Sequence, residues 1–187
     1  MDRDDTDEAL MLRYRDGDAS AFEALYARHK GPLYRYLLRQ CGNQAIADEL
    51  FQEVWLALIR TRAGYAVRAR FTTWLYRLAH HRLLDHYRRQ GRAALESFAG
   101  DCPDPDQLPA AAAGQPEQQE DRRRQAQRLL EALAQLPAAQ RQAFLLHAEA
   151  GLSLEAIAEA TGVGRETVKS RLRYALGRLR RLLEGAA

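Results

Sequence analysis

Residues 151–184 read GLSLEAIAEATGVGRETVKSRLRYALGRLRRLLE, and this stretch decides the fold. Ser153 is a suitable N-cap for a short helix carrying Leu154, Ile157 and Ala158 on one side. Gly162 ends that helix where a left-handed residue is needed, and Val163 plugs the turn. A second helix starts near Arg165 and turns Val168, Leu172 and Ala175 inward at helical spacing. Glu166, Lys169, Ser170, Arg173 and Tyr174 then fall on the outward face. Periodicity alone would describe any αα-hairpin. Ala158, Gly162, Val163 and Val168, however, occupy the small, turn, plug and core positions of a helix-turn-helix. Residues 165–181 hold seven basic residues against one acidic, a face suited to a DNA major groove.

Upstream of the motif, Phe144, Leu145 and His147 mark one helix and Pro137 marks a break. Leu129, Leu130, Leu133 and Leu136 sit at core spacing on another helix that resumes near Arg122. From 92 to 120 the pattern fails. Pro103, Pro105, Pro109 and Pro116, an alanine run and several Gln and Asp residues describe a flexible acidic linker with little to bury.

Before the linker, helical patterning is again continuous. A first helix covers 6–15 and ends at Gly17, and Ser20 with Glu23 forms a capping box for a second bearing Phe22, Leu25 and Tyr26. Gly31-Pro32 is expected to break it and open a third, with Leu33, Tyr36 and Leu37, closed by Gly42-Asn43. A longer helix over 44–60 has Ile46, Leu50, Val54 and Leu58 on one stripe, with Asp48, Gln52, Glu53 and Trp55 elsewhere on its surface. Thr72 is the expected cap of a helix reaching Arg89. No alternating β-type run of useful length occurs. The fold class is therefore all-α: two small helical domains, 6–91 and 121–184, joined by the linker 92–120, the C-terminal one containing the helix-turn-helix.

The chain has 187 residues, 47% hydrophobic and 28% charged, as in ordinary globular proteins. No apolar run approaches the length of a membrane span and the acidic N-terminus lacks a signal core, so a cytoplasmic location is expected. Cys41 and Cys102 have no metal-ligand spacing and are read as reduced thiols. The net charge of +3 hides a pattern. Residues 1–59 carry seven basic and eleven acidic residues, 60–90 eight basic and one acidic, 91–120 one basic and six acidic, and 121–187 twelve basic and seven acidic. Two basic blocks separated by an acidic spacer point to two contacts with a polyanion.

The first basic block interleaves Tyr65, Phe71, Trp74, Tyr76 and Tyr87 with eight arginines. Arginines hold phosphates, and rings stack on unpaired bases at about 1–3 kcal/mol each, a combination suited to a strand that has left the duplex. The same spacing of Phe71, Trp74, Leu75 and Leu78 also describes a helix packing into a core. Magnitudes limit what the chain does alone. Opening about ten base pairs costs roughly 14 kcal/mol, more than a few stacked bases return, and one helix-turn-helix buries little DNA surface. Useful affinity therefore needs a dimer, a second site or a large partner.

These residues resemble a family. The segments FEALYARHKGPLYRYLLRQCGN, ADELFQEVWLAL and RFTTWLYRLAHHRLLDHYRRQ, followed by LAQLPAAQRQAFLLHAEAGLSLEAIAEATGVGRETVKSRLRYALGRLRRLL, are similar in order and spacing to bacterial RNA polymerase sigma factors of the extracytoplasmic-function (ECF) subgroup. The resemblance implies that 6–91 is region 2 and 121–184 region 4. It implies docking of core RNA polymerase on Asp48, Gln52, Glu53 and Leu56. It implies recognition and melting of the −10 element by Arg60, Arg62, Arg68, Arg70, Phe71, Trp74, Tyr76, Arg77, Arg82, Arg88 and Arg89. It assigns −35 recognition to Arg165, Thr167, Lys169, Ser170, Arg171, Arg173 and Tyr174, with Tyr174 standing where many members carry a basic residue. It places the linker in the polymerase cleft, with its acidic residues in the place of RNA phosphates. The implied partners are core polymerase, promoter DNA in duplex and single-stranded form, and an anti-sigma factor.

The competing reading from the motif alone is a helix-turn-helix repressor or activator, which leaves the aromatic and arginine block unexplained. An enzyme is not expected: there is no phosphate-binding glycine loop, no HExxH and no Ser/His/Asp or Cys/His signature. No cofactor or metal is expected either. His81 and Asp85 share a helix face at i,i+4 beside His80 and His86, but this supplies two ligands of the four a metal site needs.

Overall fold

The computed structural model describes residues 5–90 and 116–184, and most of the expected linker lies outside them. Among the described residues every regular element is helical. Helix α1 spans Asp7–Arg15, α2 Ala19–Cys41, α3 Gln44–Thr61 and α4 Phe71–Gln90, with a 3-10 turn at Arg62–Gly64. The second group holds α5 at Pro116–Ala134, α6 at Ala138–Ala148, α7 at Leu154–Thr161 and α8 at Arg165–Glu184.

Local chemistry explains most of the boundaries. Thr6, Asn43 and Ser153 each accept a hydrogen bond from the backbone N–H three residues on, at 3.1–3.2 Å, and so start α1, α3 and α7. Gly42 and Gly162 end α2 and α7 at φ 67° and 70°, a conformation that favours glycine.

The structure corrects several local expectations. Asp18, rather than Ser20, caps α2, accepting from the Ser20 N–H at 3.0 Å. Helix α2 runs unbroken through Gly31-Pro32, although an interior proline costs about 3 kcal/mol. The reason is burial: Leu25, Leu33, Tyr36 and Leu37 form one wholly buried face that only a continuous helix presents. Trp55 is buried, packing with its ring centroid 4.9 Å from Tyr26 and 5.7 Å from Phe22.

Helix α4 starts at Phe71 with a cap that no local pattern shows. The Phe71 N–H donates at 2.6 Å to the Glu8 carboxylate on α1, 63 residues earlier, in place of a cap by Thr72. Helix α5 starts at Pro116, ahead of the expected Arg122, with proline at the first helical position, where its missing N–H is no loss.

Each group has its own leucine-rich interior, but the two are in contact. Leu25, Leu50, Leu58 and Leu75 of the first and Leu133, Leu146, Ile157 and Val168 of the second belong to one continuous buried cluster. Helix α7 packs across α4, and α6 packs on the C-terminal half of α2.

Candidate nucleic-acid interface

Three outward faces hold the residues singled out in the sequence. On α3, Asp48, Gln52 and Leu56 lie four residues apart on one exposed stripe, with Glu53 half-buried beside it. Leu56, a large apolar side chain, is 48% exposed. Tyr34 Oη donates to Asp48 at 2.8 Å, and Glu53 lies 3.6 Å from Arg89.

The second face is the arginine-rich segment and α4. Arg60, Arg62, Arg68, Arg70, Arg77, Arg88 and Arg89 are exposed, and Arg82 is half-buried. The Arg62 guanidinium sits 5.3 Å from the Tyr14 ring centroid, which restrains it at the surface. Arg88 and Arg82 flank Asp85 at 3.4 and 3.9 Å.

The aromatic residues divide. Phe71 and Tyr76 are wholly buried, Phe71 against His29 at 5.1 Å and Tyr76 against Tyr36 at 5.2 Å. Neither reaches a base in this arrangement, so the core reading of their spacing holds here. Trp74 is half-buried, braced by Tyr65 at 5.0 Å, and borders a cleft of about 270 Å³ with Arg68, Thr73 and Arg77. Trp74 is thus the ring of this helix that combines partial exposure with adjacent cations.

The third face belongs to α8. Val168, Ala175 and Leu179 anchor the helix in the core, leaving Arg165, Thr167, Lys169, Arg173 and Tyr174 exposed. The Arg173 guanidinium lies 5.0 Å from the Tyr174 ring. Arg165 pairs with Glu155 on α7 and with Glu166, and its hydrogen bond holds the Glu155 carboxyl down to about 2. Ser170 and Arg171 are half-buried, and Arg171 turns toward the junction between the helical groups.

That junction carries residues the sequence reading passed over. Glu149 at the end of α6 pairs with Arg35, 3.0 Å away, and with Arg39, both on α2. Gln142 Nε2 lies 2.7 Å from His80 Nδ1 and 3.4 Å from Tyr36 Oη. Burial lowers the His80 imidazole to about 4, with His81, Arg171 and Arg88 acting in the same direction, so the ring is a neutral acceptor for Gln142. Arg141 is 3% exposed, and its charge reaches Cys41 and Tyr87. Burial pushes the Cys41 thiol up to about 12, leaving it protonated and unreactive. No spacing rule pairs residues more than sixty positions apart, so only a polar stripe on α6 could have hinted at this contact.

Among the described residues no group of three or more His, Cys, Asp or Glu is placed to hold a metal ion, and no helix is long and apolar enough to cross a membrane. A helix-turn-helix with a basic outer helix, joined to a second basic face bearing a partly exposed tryptophan, defines the class of DNA-binding proteins.

Comparison with known proteins gives the family. Residues 25–93 match the model of sigma-70 region 2, and residues 126–179 match sigma-70 region 4. The RNA polymerase sigma factor CarQ of Myxococcus xanthus is 34% identical over 173 residues, which cover 92% of this chain and 95% of CarQ. The ECF RNA polymerase sigma factor SigM of Mycobacterium tuberculosis is 31% identical over 181 residues, 95% of this chain and 85% of SigM. In fold, the chain superposes on CnrH, solved with the cytosolic domain of CnrY, at a TM-score of 0.70 and 22% identity over 98% of this chain and all of CnrH. The sigma factor RpoE of Bartonella quintana, solved with the anti-sigma factor NepR, also gives a TM-score of 0.70, at 21% identity over 89% of this chain and 98% of RpoE. The chain belongs to the ECF group of RNA polymerase sigma factors.

Proposed function

We propose that this chain carries core RNA polymerase to a set of promoters and helps to open them, the bond-making chemistry remaining the polymerase's. One observation carries the reading: the two regions matched by the sigma-70 models are the two that hold the separate basic faces. A repressor needs only the second of them.

The division of labour follows from the exposed chemistry. The α3 stripe of Asp48, Gln52, Glu53 and Leu56 docks on the polymerase, with Leu56 as its apolar centre. Arg60, Arg62, Arg68, Arg70, Arg77, Arg82, Arg88 and Arg89 hold the backbone of the −10 segment, and Trp74 stacks against an unpaired base. Phe71 and Tyr76 support that surface from below. On α8, Lys169, Arg173 and Tyr174 enter the −35 major groove with Arg165 and Thr167, and Ser170 and Arg171 lie at the edge of this face. The chain works in the cytoplasm without a cofactor. Its activity is held in check by an anti-sigma factor, the kind of partner seen with RpoE of Bartonella quintana.

The docking assignment is tested by titrating fluorescently labelled chain with core polymerase. Leu56→Asp places a charge in the centre of the stripe and is expected to weaken binding about tenfold or more. Unchanged affinity would remove α3 from this role.

A further inference from the structure

We propose that α1 positions the strand-binding surface, with Tyr14 and Arg15 fixing the 62–70 segment and Arg15 acting through Tyr65 on the Trp74 ring. The role in opening rests on the reading of α4 given above; the bracing of the ring does not. Helix α1 precedes residues 25–93, the part matched to sigma-70 region 2, and in that reading it touches no DNA itself.

The 62–70 segment has little to hold its shape unaided. Beyond the 3-10 turn its residues are irregular, and Tyr65 is its one buried side chain. Helix α1 grips it at three points. At the start, the Arg62 guanidinium lies 5.3 Å from the Tyr14 ring centroid, and Arg62 Nη1 donates to Tyr14 Oη at 3.4 Å. Tyr14 is itself fixed, buried with its ring 4.9 Å from Phe22. In the middle, Arg15 Nη1 donates to the Tyr65 carbonyl at 3.4 Å, while Asp16 holds Arg15 Nε at 2.8 Å. At the end, Glu8 accepts from the Phe71 N–H at 2.6 Å.

Tyr65 carries the restraint to α4. Its ring is 6% exposed and stands 5.0 Å from Trp74. Burial, with the Glu8 and Asp7 carboxylates of α1 acting in the same direction, pushes its phenol up to about 12, so the group stays neutral against α1. Trp74 itself is half-exposed at the cleft it shares with Arg68 and Arg77. A ring that rotates freely loses that freedom when a base stacks on it, and a ring held at the right angle does not. Arg15 is thus a positioning residue, two contacts away from the ring it serves.

Trp55→Phe leaves Trp74 as the one tryptophan of the chain, so its emission reports this ring without DNA. In that background Arg15→Met, at a half-buried position, removes the donor and spares the core. It is expected to raise acrylamide quenching of Trp74 and lower its anisotropy, with circular dichroism unchanged, and Arg15→Lys, which keeps a donor, is expected to restore part of the signal. In holoenzyme assembled with core RNA polymerase, permanganate reactivity of a promoter fragment selected by run-off transcription reads opening. Arg15→Met is expected to reduce it about tenfold at unchanged core affinity. In a Trp74→Ala chain the same substitution should have little further effect, whereas a merely structural role would lower opening in both backgrounds alike. Unaltered Trp74 emission in Arg15→Met would overturn the bracing. Wild-type opening in Arg15→Met, or losses that multiply in the double variant, would overturn the positioning role. If Trp74→Ala opens promoters as well as wild type, the reading of α4 fails and the role in opening with it, while changed emission would still establish that α1 holds the ring.

Discussion

His80 is the residue whose protonation reaches furthest, because its hydrogen-bond partner Gln142 lies on the other helical group. Its ring takes a proton near pH 6.5 when free of this environment, and only at about 4 within it. Between those values the unfolded chain binds a proton that the folded chain refuses, so this contribution to stability is fully present above pH 6.5 and is lost as pH falls toward 4. Thermal unfolding across this range should show Tm falling as pH falls, and His80→Gln should remove the part of that fall centred there. Trp74→Ala is expected to impair promoter opening more than duplex binding; equal permanganate reactivity in wild type and variant would contradict the stacking role. Lys169→Ala should reduce the salt dependence of promoter binding by about one unit of slope if the ammonium touches a phosphate, and an unchanged slope would remove it from that role. At this scale the basic residues were legible in the sequence because a solvated arginine has few alternatives. The rings were not, since Phe71 and Trp74 obey the same spacing, and only tertiary packing makes one core and leaves the other half-exposed.

Helix boundaries were legible where the cap is local. Ser153 and Gly162 act within their own turn, and each is where sequence chemistry places it. Boundaries failed where a distant part of the molecule decides. Glu8 reaches from α1 to cap α4, so Glu8→Ala is expected to cost about 1 kcal/mol and to lower Tm by about 2–4 °C in a chain of this size, read by thermal unfolding. No change in Tm would show that the Phe71 N–H finds water equally well. Gly31-Pro32 reads as a break by local rules, yet a buried face extending over both sides of it keeps α2 whole. That continuity has a structural use: the C-terminal half of α2 supplies Tyr36, Arg35 and Arg39 to the junction.

The whole molecule is two helical groups whose charge pattern was plain in the sequence and whose mutual contact was not. Alternating acidic and basic blocks foretold two separate basic faces, because charge is read by counting. The contact between α4 and α7, and the pairing of Glu149 with α2, depend on residues separated by more than sixty positions, and no periodicity reports them. Family membership, the two basic faces and the exposed α3 stripe converge on one account, in which the chain carries core polymerase to promoters and each basic face is proposed to meet its own promoter element. The most direct measurement mixes the purified chain with bacterial core RNA polymerase and a library of genomic fragments, and sequences the run-off transcripts. Defined start sites absent with core alone are the predicted result, and their upstream sequences would give the −35 and −10 elements. Failure to bind core, with binding to duplex DNA retained, would contradict the account and leave a helix-turn-helix regulator in its place.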